Sequence, residues 1–134
     1  PPNLAIVTVS ALTAADRVLI PSHPDPHAIY RMELIQDTIA RVRRRTNPHL
    51  EVLGVVPTMF SARLSQDRAS LEDIRSGFGE RMRIFPPVPR ATVYPQAAGA
   101  SAITLQVAPD APGLDVYIEI ATALMTEKER RHGA

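Results

Sequence analysis

Residues 17–57 read RVLIPSHPDPHAIYRMELIQDTIARVRRRTNPHLEVLGVVP. Arg17–Ser22 is a short apolar run stopped at Pro21, the pattern of a buried strand. Ser22 to His27 cannot be a regular helix, because Pro24 and Pro26 push the residues before them into extended geometry. Between His27 and Thr46, Ile29, Met32, Ile35, Ile39 and Val42 recur every three or four residues, which predicts an amphipathic helix. Asp37 and Arg41 are spaced as an i,i+4 ion pair on it. Asn47-Pro48 ends the helix, and Glu51–Pro57 is again almost continuously apolar. The two strands are joined by far more chain than a hairpin needs, so they are expected to pair in parallel across a helical crossover.

The flanking sequence extends the same alternation. Residues 3–15 carry Leu4, Val7, Ala11, Ala14 and Ala15 near one helical stripe, with Asn3 as the expected N-cap. Thr58 to Ala62 reads as a loop. Residues 66–77 read as a polar helix with Leu71, Ile74 and Phe78 inward, closed by Gly77 or Gly79. Residues 82–86 read as a third short strand, 86–95 as a loop, and 102–107 as a strand or extended segment. Residues 113–128 read as a final helix with Val116, Ile120, Ala123 and Leu124 inward. The predicted class is α/β, a three-layer α/β/α arrangement around a mostly parallel sheet. Ligands of such sheets sit at the C-terminal strand ends, here the loops 21–27, 58–65 and 86–96.

Composition excludes several classes. The chain has 134 residues, room for one domain. With 45% hydrophobic and 22% charged residues it is not globally disordered. A net charge of +1 excludes a uniformly basic field. The absence of Cys excludes disulfides, zinc-thiolate sites and a thiol nucleophile. No apolar run reaches the length of a membrane span. Fourteen of the 15 basic residues are Arg, and only Lys128 is Lys; no Gly-rich loop precedes it. The chain starts at Pro1 with no signal-peptide pattern, and is expected to be a piece of something longer.

Candidate chemistry is sparse. His23 and His27 have metal-ligand spacing, but Pro24 and Pro26 forbid the helix that would align them, and no third ligand is evident beyond Asp25. Ser10, Ser61, Ser65 and Ser76 lie in no G-x-S-x-G elbow. The run Arg41-Val-Arg43-Arg44-Arg45 reads either as a nucleic-acid patch or as a solvated helix end favoured by the macrodipole. Pro57-Thr58-Met59 and Pro87-Val88-Pro89-Arg90, each just after a predicted strand, read either as walls for a flat ligand or as ordinary loops.

Taken in order, Pro1-Pro2-Asn3-Leu4, SALTAADRVLIPSHPDPHAI, ARVRRRTNPHLEVLGVVPTM, GFGERM, PRATVYPQA and VYIEIATAL resemble the second half of ParA/Soj-type partition ATPases, from just after the deviant Walker B aspartate. The resemblance covers nearly the whole chain. It implies the C-terminal half of a P-loop NTPase-like fold, residues 1–134 being a single partial domain without the Walker A half. It implies ATP and Mg²⁺ as cofactors of the full-length protein. It also implies an ATP-dependent homodimer, non-specific DNA as partner, a ParB-like protein that stimulates hydrolysis, and a cytoplasmic, nucleoid-associated location without membrane binding. Thr58, Met59, Pro89 and Arg90 fall beside the adenine. Arg63 and Arg90 fall at or beside DNA-contacting positions, and Arg41, Arg43, Arg44 and Arg45 are expected to join them if folding brings the groups together. The family pattern T-M-x-D-x-R has Ser61 in place of its aspartate, and a second DNA-contacting arginine is replaced by Val93. No catalytic residue is expected in this chain, and ATP hydrolysis by it alone is not expected, since phosphoryl transfer needs a phosphate cradle, a lysine and a metal-holding acid. The rival readings are a non-catalytic DNA- or partner-binding module, a MinD-like positioning ATPase, and an unrelated α/β enzyme. The tail Thr126 to His132, charged with both signs, disfavours the MinD-like reading.

Overall fold

The computed structural model describes the backbone of residues 2–132 and the side chains of residues 6–126. Helix α1 (Pro2–Ala14) leads into strand β1 (Arg17–Ser22), helix α2 (Ala28–Arg45) and strand β2 (Glu51–Pro57). Helices α3 (Ser65–Phe78), α4 (Val93–Gly99), α5 (Thr104–Val107) and α6 (Leu114–His132) follow. Strands β1 and β2 pair in parallel, from Arg17 opposite Glu51 to Ser22 opposite Pro57, as the strand–helix–strand reading requires.

The register slips once, between Val18 and Leu19, so that Leu19 faces Gly54. Gly54 takes a φ of 154°, which lets β2 absorb the irregularity. The slip places Leu53 and Val56 on one face of β2 and Val55 on the other. Val55 packs with Leu12 of α1, Met32, Ile39 and Val42 of α2, and Ile74 and Phe78 of α3. Leu53 and Val56 pack with Phe85, Val88, and Val116 and Ile120 of α6. The sheet therefore lies between two helical layers, the three-layer α/β/α class read from the sequence.

The local departures have physical reasons. Helix α1 begins at Pro2, so Asn3 lies inside it rather than at its N-cap. Arg41 turns to the Thr38 hydroxyl (3.4 Å) instead of pairing with Asp37. Gly79 caps α3 in right-handed geometry, φ −61°. Residues 82–86 are not a regular strand, although Val55 N–H donates to the Arg83 carbonyl and Phe85 N–H to the Val55 carbonyl, both at 2.8 Å. Pro86 and Pro87 cannot extend that ladder as donors. The expected loop 86–95 runs into α4, which tolerates Pro95 because its first-turn amides need no intrahelical partner. Thr104–Val107 form the single turn α5 rather than a strand. Leu124 is 41% exposed rather than inward, past the part of α6 that covers β2.

Asn47 does more than end α2. Its amide donates to the carbonyls of Leu12 (3.0 Å) and Ala15 (2.7 Å), satisfying the end of α1. Asn47→Ala leaves both carbonyls without that donor and is expected to cost about 1–3 kcal/mol in urea unfolding. A change below ~0.5 kcal/mol would show that water replaces the amide there without cost.

Candidate functional site

The C-terminal edge of the sheet is assembled by backbone bonds that continue past the strands. Thr58 N–H donates to the Ser22 carbonyl at 2.9 Å, keeping the loops after β1 and β2 side by side. Val88 N–H reaches the Pro57 carbonyl (2.8 Å), Phe60 N–H the Val88 carbonyl (3.1 Å), and Arg90 N–H the Phe60 carbonyl (2.9 Å). Residues 87–90 thus run parallel to 57–60. The proline spacing fits this ladder. Donors are needed at Phe85, Val88 and Arg90, and the prolines stand at 86, 87 and 89.

Four residues assigned to one site by the resemblance, Thr58, Met59, Pro89 and Arg90, are brought together on this edge. Met59 has a φ of 56°, uncommon for a residue with a side chain, and is 52% exposed. Held off the core by that turn, it presents an apolar surface beside Thr58 and Pro89. Arg63 and Arg90 are both exposed at the same end.

The neighbouring wall is close-packed. Gly113 has a φ of 87°, and a Cβ there would lie 2.8 Å from Pro89 Cδ and 3.2 Å from the Tyr94 hydroxyl. Tyr94 donates to the Pro112 carbonyl at 2.5 Å. Burial pushes its phenol above the usual range, and nearby Tyr117 and Asp115 add to the shift. The start of α6 therefore presses directly on the 88–94 segment.

At the end of β1, Asp25 accepts from Arg31 (2.9 Å) and from His27 N–H (2.8 Å). The Arg31 bond leads in holding the Asp25 carboxyl below its usual range, against partial desolvation, with the His27 amide, the Arg31 charge and His23 also lowering it. The pair ties the 22–27 loop to the first turn of α2. Among the described residues no cluster of three or more His, Asp or Glu is arranged to hold a metal ion.

Arg41, Arg43, Arg44 and Arg45 lie elsewhere. They occupy the C-terminal turns of α2, where Arg43 Nε donates to the Leu50 carbonyl (2.7 Å) just before β2 begins. Arg63 and Arg90 follow the other end of β2. Seven residues of strand separate the two groups, about 20 Å. Among the described residues the two groups therefore lie at opposite ends of the strand and are not brought together on one surface. The side chains of the tail beyond Thr126, Lys128 among them, lie outside the described residues. No helix among the described residues is long and apolar enough to cross a membrane.

The sequence reading passed over Asp67, a buried carboxylate in the first turn of α3. Its oxygen accepts the Ser61 N–H at 2.8 Å.

Comparison with known proteins supports a P-loop NTPase-like fold for this geometry. A family model described as AAA domain matches residues 1–52. The chromosome partitioning protein ParA of Caulobacter vibrioides is 31% identical over 131 residues, 98% of this chain and 49% of that protein. Cobyrinic acid a,c-diamide synthase of Mycobacterium smegmatis with bound ADP and magnesium is 32% identical, with a TM-score of 0.58 over 76% of this chain and 40% of its own. Apo McdA of Cyanothece superposes with a TM-score of 0.77 over 88% of this chain and 48% of its own. At 16% identity that likeness concerns the fold alone. The chain spans about half the length of the curated relatives it matches.

Proposed function

We propose that this chain, which belongs to the ParA/Soj family and corresponds to its C-terminal half, supplies the purine-side and DNA-facing loops of a DNA-partitioning ATPase. In this reading the whole protein binds ATP and Mg²⁺, dimerises, and holds DNA without reading its sequence. Hydrolysis, stimulated by a ParB-like partner, releases the DNA. The observation that carries the reading is the pairing of residues 57–60 with 87–90, which sets Thr58, Met59, Pro89 and the two exposed arginines on one edge.

The residues fit the purine part of a nucleotide. Thr58, Met59 and Pro89 offer an apolar, backbone-rich edge suited to a flat ring, while Met59's turn exposes its side chain to cover one face. ATP with Mg²⁺ supplies the phosphoryl group and its charge neutralisation. The phosphate cradle, lysine and metal-holding acid that this chemistry needs are assigned to the rest of the protein. Arg63 and Arg90 neutralise DNA phosphates, a contact that fixes position without carrying sequence information. The non-catalytic rival draws on Ser61 and Val93, where the family pattern has an aspartate and an arginine; ATP turnover by the full-length protein decides against it.

The test is duplex binding by the full-length protein with ATP, followed by fluorescence anisotropy across a salt series. Arg63→Ala and Arg90→Ala are each expected to weaken binding about three- to tenfold and to lower the log–log salt slope by about one. Arg44→Ala and Arg45→Ala, at the far end of the sheet, are expected to leave that slope in place. A slope unchanged by Arg63→Ala and Arg90→Ala sinks the DNA assignment.

A further inference from the structure

Helix α3 holds the loop that carries Arg63 through two adjacent side chains. Asp67 is 5% exposed, and its Oδ2 accepts the N–H of Ser61 at 2.8 Å. Arg68 donates through its guanidinium to the carbonyl of Ala62 at 2.5 Å. One residue takes a backbone donor and the next supplies a backbone acceptor's partner, on the two residues just before Arg63. The loop closes on itself through Leu64 N–H to the Ser61 carbonyl (3.1 Å), and Phe60 is tied by both backbone groups to residues 88 and 90. A buried carboxylate is costly unless hydrogen-bonded, and here the free amides at the start of α3 also favour an anion.

We infer that Asp67 and Arg68 form a clamp that fixes the Ser61–Leu64 loop and thereby sets the position from which Arg63 meets a DNA phosphate. The clamp rests on the DNA reading above for its purpose and on the hydrogen bonds for its existence. Asp67 and Arg68 are positioning residues: neither is assigned a phosphate of its own. Pinning the loop in the free protein removes the ordering cost that binding would otherwise carry.

The charge of Asp67 makes the test decisive in sign. Removing a carboxylate near a phosphate-binding arginine should tighten DNA binding if only net charge matters. The clamp requires the reverse. In the full-length protein with ATP, Asp67→Ala is expected to weaken duplex binding about tenfold. The salt slope should fall by about one, as in Arg63→Ala. Asp67→Asn, which keeps a carbonyl acceptor, should bind within about twofold of the parent. The double variant of Arg63→Ala and Asp67→Ala should bind no more weakly than Arg63→Ala alone, since both act on one contact. Hydrogen–deuterium exchange of residues 58–64 should quicken in Asp67→Ala while that of β2 does not.

Binding by Asp67→Ala that equals or exceeds the parent's, additive losses in the double variant, or unchanged exchange in the loop each overturns the clamp. If Arg63→Ala itself leaves DNA binding unchanged, the DNA reading fails, and the exchange measurement still decides whether the clamp exists. Should Asp67→Ala fail to fold, Arg68→Ala, an exposed position, carries the same comparison through the Ala62 carbonyl.

Discussion

Gly54→Ala is expected to destabilise the protein by about 2–5 kcal/mol, the sum of a strained backbone and an overpacked contact. The backbone at Gly54 has a φ of 154°, which side chains rarely adopt. A Cβ there would stand 2.7 Å from both the Arg83 carbonyl and the Phe85 ring. Neither neighbour can move cheaply. The Arg83 carbonyl accepts from Val55, and Phe85 donates back to the same residue, both at 2.8 Å. Phe85 is also 1% exposed and belongs to the core shared with α6. A methyl at Gly54 would therefore separate β2 from residues 83–85, the first contacts of the segment that goes on to place Pro89 and Arg90. The expected loss is a large part of the ~5–15 kcal/mol that stabilises a typical domain. Urea unfolding measures it, and a variant within ~1 kcal/mol of the parent would show that the Phe85 ring and the register slip relax together without cost. The same variant should weaken DNA binding through Arg90 where enough folded protein remains.

Gly54 also shows where sequence reasoning reached its limit. The strand–helix–strand unit was legible from residues 17–57 alone, because apolar runs and a three-to-four spacing report burial directly. Three of the five residues read as the inner stripe of α2, Met32, Ile39 and Val42, are buried, and Ile29 and Ile35 pack against the same core. The slip at Leu19 was not legible, since it depends on how two distant strands match, and a glycine in an apolar run has several explanations. The pairing made by the loop after Phe85 was hidden for a related reason. Its prolines look like loop punctuation, yet they occupy the positions that need no donor while Val88 and Arg90 pair with the β2 side. In the candidate site, the loops 58–65 and 86–96 were marked by the rule that ligands gather at strand ends. Asp67 was passed over because an acid in the first turn of a helix is commonplace. The available signal was its place in the first turn of the helix that follows the loop, within reach of the loop's backbone amides. The arginine run on α2 reads as a helix end from the sequence, and only the direction of the crossover shows which end of the sheet it serves.

The isolated 134-residue chain is expected to self-associate rather than remain a monomer at concentrations on the order of tens of micromolar. Among the described residues, β1 pairs with β2 along one edge and with nothing along the other. The open side forms a groove of about 520 Å³ lined by Val18, Leu19, Ile20 and Pro21 of β1 with Met32 and Ile35 of α2. Pro21 removes one donor from that edge, but Leu19, on the side turned away from β2, keeps its own beside an apolar wall. Natural sheet edges are usually blunted by charge, a bulge or a covering element. Here the nearest charges, Asp25 and Arg31, neutralise each other at the groove's far end. Parallel pairing needs only a few extended residues from a second molecule, and the apolar wall adds burial to the backbone bonds. Light scattering with size separation measures the outcome: a mass above that of one chain, rising with concentration, is expected. A clean monomer across that range would mean that the edge is already covered, and Val18→Lys would then change nothing. If the edge drives association, the same lysine, placed on the open strand, should shift the distribution towards one chain.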